Sequence, residues 1–499
     1  MDLGVNSHPL QYVDLLVILV YLAASTLVGA YFRKGQKDIR TYFVGNREVT
    51  WPLLLVSIVA TETSTVTFLS VPGLAYHPEG GNLTFLQLSF GYLLGRIILS
   101  ALILPGFFQG HYISAYEALR KKFDERVQRA ASLLFILTRT IADGLRLFLT
   151  ALLLQQFTHW NMPASILMMG LITLVYTYLG GMQAVLWTDC IQFLIYTLGA
   201  FVAGWMLVGY LPSGYAEFFC AGCEAGKFSL FNLSIDPTQP YTLWAGILGG
   251  AFFSMASHGA DQIMVQRYLC AKNLTHARVA LIASGLVVIL QFVLFLFIGI
   301  GLYLLAQSGS WDLPPGIRND QVFGKFIVEK LPVGLVGLVI AAVLAAAMST
   351  LSSSLNSSAS AALADFYKPQ RPGKSDADYL DFSRIFTLFF GFAQIAVALM
   401  AWQIDSPQSI IDQVLSVAGL TTGMVLGLFL LGTLKRKISS NAALCGLLFG
   451  FLTVMAVYIP GRLGNPLVAW PWYAPIGTTA TVAITLALNS LFGKEKGAG

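Results

Sequence analysis

The chain has 499 residues, of which 56% are hydrophobic and 11% charged, a balance that excludes a water-soluble globular enzyme and a disordered protein alike. Apolar runs long enough to cross a bilayer, about 20 residues each, recur along its whole length, so the backbone must satisfy its own polar groups. The net charge of +5 follows from how basic residues are distributed between loops and indicates no nucleic-acid partner.

Runs this long and continuous predict helices, and thus an all-α integral membrane protein. There are about 13, over residues 11 to 31, 50 to 76, 83 to 108, 126 to 158, 163 to 180, 185 to 211, 242 to 266, 277 to 306, 332 to 365, 380 to 403, 407 to 433, 438 to 459 and 469 to 492. The first has no cleavage-like site and no basic residue before it, so it reads as a retained helix. If it starts outside, alternate loops collect 22 of the 30 lysines and arginines, in clusters at Arg33 to Arg47, Arg120 to Arg129, Arg267 to Arg278, Lys368 to Arg384 and Lys435 to Lys437, and at Lys494 and Lys496. That asymmetry places the N-terminus outside and the C-terminus in the cytoplasm, in a plasma (inner) membrane.

The second expected span, 50 to 76, carries the stretch "IVATETSTVTFLSVPG", Ile58 to Gly73, with one carboxylate, Glu62, and six hydroxyls. Charges at membrane depth are expensive, so Glu62, Arg96, Arg139, Asp143, Arg146, Asp189, His258 and Asp261 imply a polar interior. Arg139, Asp143 and Arg146 share one helix face, which either fixes a structural ion pair of Asp143 with one arginine or leaves an arginine for an anionic substrate. A second interruption falls in "FFSMASHGADQIMVQR", where Ser254, Ser257, His258, Gly259 and Asp261 break an apolar segment.

Ser349, Ser352, Ser353 and Asn356, with Thr350 beside them, make a stripe that suits close helix packing. Its hydroxyls, together with carbonyls freed by a broken helix, equally suit a hard monovalent cation such as sodium. The two interrupted segments each open a run of five helices, over 50–211 and 242–433, which points to inverted repeats with the binding site between them. A leading segment, 1–49, an external loop, 212–241, and a C-terminal pair of helices with a short tail, 434–499, complete the division. Cys220 and Cys223 share the external loop, where they either pair or stand as two thiols. No His/Cys cluster has metal-ligand spacing, and no glycine-rich loop follows a strand, so no metal other than sodium and no organic cofactor is expected.

The motifs "ATETSTVTFLSVPGLAY", "GGMQAVLWTDCIQ", "DQIMVQRYL" and "AAAMSTLSSSLNS" followed by "ADFYKP", in that order, resemble the sodium/solute symporter family. Its members include sodium-coupled sugar, proline, iodide, vitamin and sialic acid carriers. The resemblance implies the LeuT-like fold of two inverted five-helix repeats with extra helices at both ends. Carried onto this sequence, the family's principal sodium site uses the carbonyls of Ala60, Thr63 and Ala346 and the hydroxyls of Ser349 and Thr350. A second sodium site, present in some members, falls on Asp189, Ser349, Ser352 and Ser353, so one or two sodium ions are implied. Substrate contacts fall on Glu62, Ser64, Thr67, Gln87, the face of Arg139, Asp143 and Arg146, and Ser254, Ser257 and His258. The arginine of the sialic acid carriers corresponds to a position near Ala142, and the aromatic gate of the sugar carriers to Ser257 and His258, so neither branch's substrate transfers directly.

The resulting expectation is a sodium-coupled symporter that imports a small polar organic solute, a sugar, sugar acid or amino acid, by alternating access. Glu62 is left with three roles: attracting a cationic or hydroxyl-rich solute, pairing with an arginine, or taking up a proton. Proton coupling through Glu62 and His258 is the nearest rival, and a transporter-like sensor a more distant one. An intramembrane enzyme lacks any recognisable motif.

Overall fold

The computed structural model describes residues 11–33, 42–43, 47–110, 112–158, 160–180, 182–404 and 410–492. The basic residues Lys34, Lys37, Arg40, Lys494 and Lys496 lie outside them, as do both chain ends. Among the described residues the molecule is helical, with no strand and one isolated bridge between Val49 and Ala271. In chain order the helices are α1 Tyr12–Arg33, α2 Trp51–Glu62, α3 Thr65–Tyr76, α4 Leu86–Leu102, α5 Leu104–Phe107, α6 Glu117–Lys122, α7 Glu125–Thr158, α8 Met162–Gly180, α9 Met182–Gly209, α10 Gly214–Glu224, α11 Gly250–Gly259, α12 Gln262–Cys270, α13 Leu274–Gln307, α14 Asn319–Lys330, α15 Leu335–Ala361, α16 Asp376–Gln403, α17 Ile410–Thr433, α18 Ser440–Arg462 and α19 Tyr473–Phe492.

By length and apolarity six of these spans can cross a bilayer, or seven if α2 and α3 form one bent span. The thirteen apolar runs of the sequence are therefore not all recovered by that criterion. α1, α4 and α8 hold shorter apolar stretches, Tyr12–Val28, Leu86–Leu102 and Met162–Val175. α7 is 34 residues long but carries Arg129, Arg139, Asp143 and Arg146, charges that hydropathy alone rejects.

Both expected interruptions are present. α2 and α3 meet at 62° because Thr63 and Ser64 are extended, with φ/ψ of −81°/91° and −93°/176°. Hydroxyl residues favour such departures, since their side chains compete for backbone groups. The second break falls slightly later than Gly259, at Ala260 and Asp261, where the Asp261 carboxylate accepts the Ile263 N–H at 2.9 Å and caps α12. Gly259 serves packing instead: a Cβ there would lie 2.4 Å from Leu99 of α4.

Two sets of helices surround the breaks. α2 and α3 pack on α13, and α13 and α11 pack on α4, while α7 and α8 pack with α15 and α16, and α9 lies against both sets. α4 and α11 approach backbone to backbone, so that a Cβ on Gly95 would lie 2.4 Å from the Ala251 carbonyl oxygen. α15 begins where Gly334 turns with φ of +86°, and the Asp14 carboxylate of α1 accepts the N–H groups of Gly334 and Gly337 at 2.7 and 2.8 Å. Cys220 and Cys223 are exposed, unbonded thiols on α10, one turn apart on a continuous helix.

The C-terminal end of α3 is closed by a lysine from the loop after α10. Lys227 is buried, and its Nζ donates to the carbonyls of Ala75, Tyr76 and His77 at 3.3, 3.4 and 2.7 Å, over the Tyr303 ring at 3.7 Å. A cation suits a helix C-terminus and an aromatic face, yet burial pulls the ammonium down from 10.5 to about 8. Between those values the unfolded chain binds more protons than the folded one, so this group's contribution to stability rises with pH across the window. Melting temperatures from pH 8 to 10.5 should therefore show wild type gaining on Lys227→Met; parallel curves would contradict the assignment.

Candidate functional site

The two breaks face each other across a cavity of about 110 Å³. Glu62, Ser64 and Thr67 line it from α2 and α3, Tyr92 from α4, Arg139 and Arg146 from α7, Ser257, His258 and Asp261 from the second break, and Thr350 from α15. Phe85, Phe253 and Phe292 close it on the apolar side.

Every ionised group here has a counter-charge on another turn or helix. Glu62 takes both carboxylate contacts from the Arg96 guanidinium of α4, at 2.6 and 2.5 Å, and Arg96 also donates to Ser284 at 2.6 Å. Of the three roles open to Glu62, arginine pairing is the one observed. The His258 Nε2 lies 3.6 Å from Glu62, and no hydrogen bond reaches that nitrogen.

On α7 the face expected to pair within itself divides. Asp143 is bonded to Arg146, whereas Arg139 reaches across to Asp261 at 2.5 and 2.9 Å and stays 3.8 Å from Asp143. A contact across the cavity thus joins α7 to the second break. Arg146 keeps a buried Nε with no partner. Asp143 and Ser254 are buried behind the lining.

Gln87, expected among the substrate contacts, is not in the cavity wall. Its amide nitrogen donates to the carbonyls of Thr84 and Tyr241, both at 3.1 Å, and its oxygen accepts the Asn232 N–H at 3.2 Å. It ties the loop before α11 to α4. A buried amide's side of the helix was not readable from its type.

Next to the cavity, α2 ends with carbonyls that no helical N–H can meet. Thr350 donates to the Thr61 carbonyl at 3.0 Å and to the Ala346 carbonyl at 3.3 Å. Ala60 and Ala346 are fully buried beside it. The Thr63 hydroxyl donates to Gln291 at 2.8 Å, and the carbonyl of this break that α15 bonds is that of Thr61. These are neutral, hard oxygen donors with no thiol or imidazole among them, a set that suits sodium. Among the described residues no group of three or more His, Cys, Asp or Glu side chains could hold a metal ion.

Deeper in, Asp189 accepts from Ser349 at 2.6 Å and Ser57 at 2.5 Å. A guanidinium also sits there. Arg267 of α12, fully buried, donates to Asp189 at 2.8 Å, Ser353 at 2.7 Å, Ser57 at 2.9 Å, the Ile263 carbonyl at 2.9 Å, and Thr61. Ser352 donates to the Ser349 carbonyl at 3.2 Å. The four residues expected to hold a second ion are therefore together, with Arg267 among them as a built-in cation. Sequence position had assigned Arg267 to a basic loop; the signal that could have found it is Asp189, a carboxylate at membrane depth that demands a counter-charge.

Removing that counter-charge should be costly. Arg267→Met leaves Asp189 buried and uncompensated, with an expected loss of about 3 to 5 kcal/mol in chemical denaturation. Adding Asp189→Asn should recover much of it, and a single-variant loss under about 1 kcal/mol would show the pair to be dispensable.

Residues 42–450 match the Sodium:solute symporter family. The chain is similar to the sodium/sialic acid symporter SiaT of Proteus mirabilis (strain HI4320), at 31% identity over 98% of this chain and 97% of that one. It is also similar to sodium-coupled monocarboxylate transporter 2 of Bos taurus, at 27% identity over 93% of this chain and 75% of that one. A solved structure, described as the substrate-bound outward-open state of a Na+-coupled sialic acid symporter with a novel Na+ site, superposes with a TM-score of 0.87 at 29% identity, covering 96% of this chain and 98% of that one.

Proposed function

The chain belongs to the sodium:solute symporter family, with its LeuT-like fold, and from that premise we propose that it couples sodium entry to uptake of a small polar solute carrying an acidic group, of the sugar acid or amino acid class. The observation that carries this reading is Thr350. One side chain lines the solute cavity and bonds the carbonyl end of the broken helix, so the oxygen set suited to sodium and the solute site share a residue. An ion drawn to the Thr61 and Ala346 carbonyls and the Thr350 hydroxyl would hold α2 against α15 and shape the cavity wall. Sodium and solute would then favour the same conformation, which is the condition for coupling.

An acidic group is supported by Arg146, which lines the cavity with one edge held by Asp143 and a buried Nε unpartnered. The charges that line the cavity, Glu62, Asp261, Arg139 and Arg146, carry both signs equally, so a solute with hydroxyls or an ammonium beside its carboxylate fits better than a bare anion. The sialic acid and monocarboxylate carriers named above are symporters of carboxylate-bearing solutes. In this reading 50–211 and 242–433 are the inverted repeats, the ends with basic loops face the cytoplasm, and the N-terminus faces outward. Arg267 beside Asp189 favours one sodium ion per cycle at the Thr350 site over two. A proton-coupled reading rests on the unpartnered His258 Nε2 near Glu62.

In potassium buffer, added sodium should raise the melting temperature of the purified protein through binding to the folded state. Thr350→Ala should shift the sodium needed for half the effect upward about tenfold or more, and Thr350→Ser should restore it. Uptake of labelled sugar acids and amino acids into proteoliposomes should need an inward sodium gradient and fall in Arg146→Gln. Uptake driven by a pH gradient without sodium would replace this reading by the proton-coupled one.

A further inference from the structure

A second cavity, of about 460 Å³, lies at the end of the molecule where the basic loops gather, away from the solute site. The end of α4, α5, α6 and the end of α17 surround it, with Leu102, Ile103, Phe107 and Phe429 as apolar wall and Gln109 and Tyr112 as polar wall. Lys121 and Lys122 are the charged residues of its lining, and no carboxylate is among them. Nearby acids are engaged elsewhere: Glu117 accepts the Ile113 N–H at 2.8 Å, and Asp124 pairs with Arg126 at 2.9 Å. Lys122 donates to the Leu434 carbonyl just past α17, so it pins α6 to that helix. Lys121 is exposed and has no partner among the described residues. Lys435 and Arg436, in the loop after α17, are exposed as well.

We propose that this cavity binds the headgroup of an anionic phospholipid, its phosphate at Lys121 and its first methylenes against Phe107 and Phe429. Two observations favour a lipid over free phosphate. The cavity opens beside Leu102, 54% exposed, at the foot of a helix whose outer face must meet acyl chains. From there Ala101, Ile97 and Leu94 follow at helical spacing, the last two 45% and 41% exposed, as an apolar track leading from the lysines toward the membrane interior. The occupant bridges α4, packed against α11 and α13, with α17, packed against α7, so it would link helices on both sides of the solute site.

Gly106 allows a test that leaves the lysines alone, because a Cβ on it meets nothing within 4 Å; Gly106→Leu adds bulk to the cavity wall with no clash at Cβ. In detergent, phosphatidylglycerol should raise the melting temperature by about 2 °C or more, with phosphatidylcholine and inorganic phosphate giving no comparable rise. Lys121→Gln and Gly106→Leu, each folded by its unliganded melting curve, should lose most of that increment. An equal rise with inorganic phosphate would make this a free-anion site, and an equal rise with phosphatidylcholine a plain acyl-chain groove; either result overturns the proposal, as does an undiminished response in both variants. The readout needs no transport, so its failure is separate from failure of the coupling mechanism.

Discussion

A helix that stops at membrane depth strands carbonyls and N–H groups where no water waits to receive them. The rest of this molecule is arranged around two such ends. At the first, Thr61 and its neighbours are met by Thr350 of α15; at the second, Asp261 caps α12 with one oxygen and holds Arg139 with the other. Each break is thus completed by a side chain from outside its own helix, or offers one to another element. The cavity of about 110 Å³ is the space left where those completions meet.

The same logic governs the charges. Glu62 with Arg96, Asp261 with Arg139, Asp143 with Arg146 and Asp189 with Arg267 are four carboxylates with four arginines, all at depth. Buried pairs of this kind add little net stability over apolar packing, yet breaking one is expensive because it leaves a naked charge. Their value to a transporter lies in that asymmetry. Arg139 with Asp261 and Asp189 with Arg267 join separate elements, so each pair holds two parts of the molecule in register.

Much of this was readable in residue order. The hydroxyls of Ile58 to Gly73 marked the first break, the polar run from Ser254 to Asp261 marked the second, and the serine stripe marked the helix whose Thr350 meets the first break. What sequence could not show was the choice of partner. Spacing put Asp143 within reach of two arginines but not the fact that Arg139 would leave for a helix more than a hundred residues away. Charge counting read Arg267 as a loop residue because it stands near Lys272 and Arg278, whereas its burial depends on α12 folding back toward α2 and α15. Nor did residue order single out Thr61, two positions before Thr63, as the residue whose carbonyl Thr350 bonds. Gln87 is an interior amide by composition and a loop tether by geometry.

The near-contact of α4 and α11 carries a mechanical implication. With Gly95 against the Ala251 carbonyl, and a Cβ excluded at 2.4 Å, the two helices have no slack in which to slide, and any shear between them would drive backbone into backbone. The second broken helix supplies one member of that pair, α11, and Glu62 at the first break is held by Arg96 of the other, α4, so both breaks are tied to α4, as two notches cut in one stiff bar. At the seams where this bar touches its surroundings, the Thr350 hydroxyl bonds the Thr61 carbonyl and the Arg139 guanidinium bonds the Asp261 carboxylate.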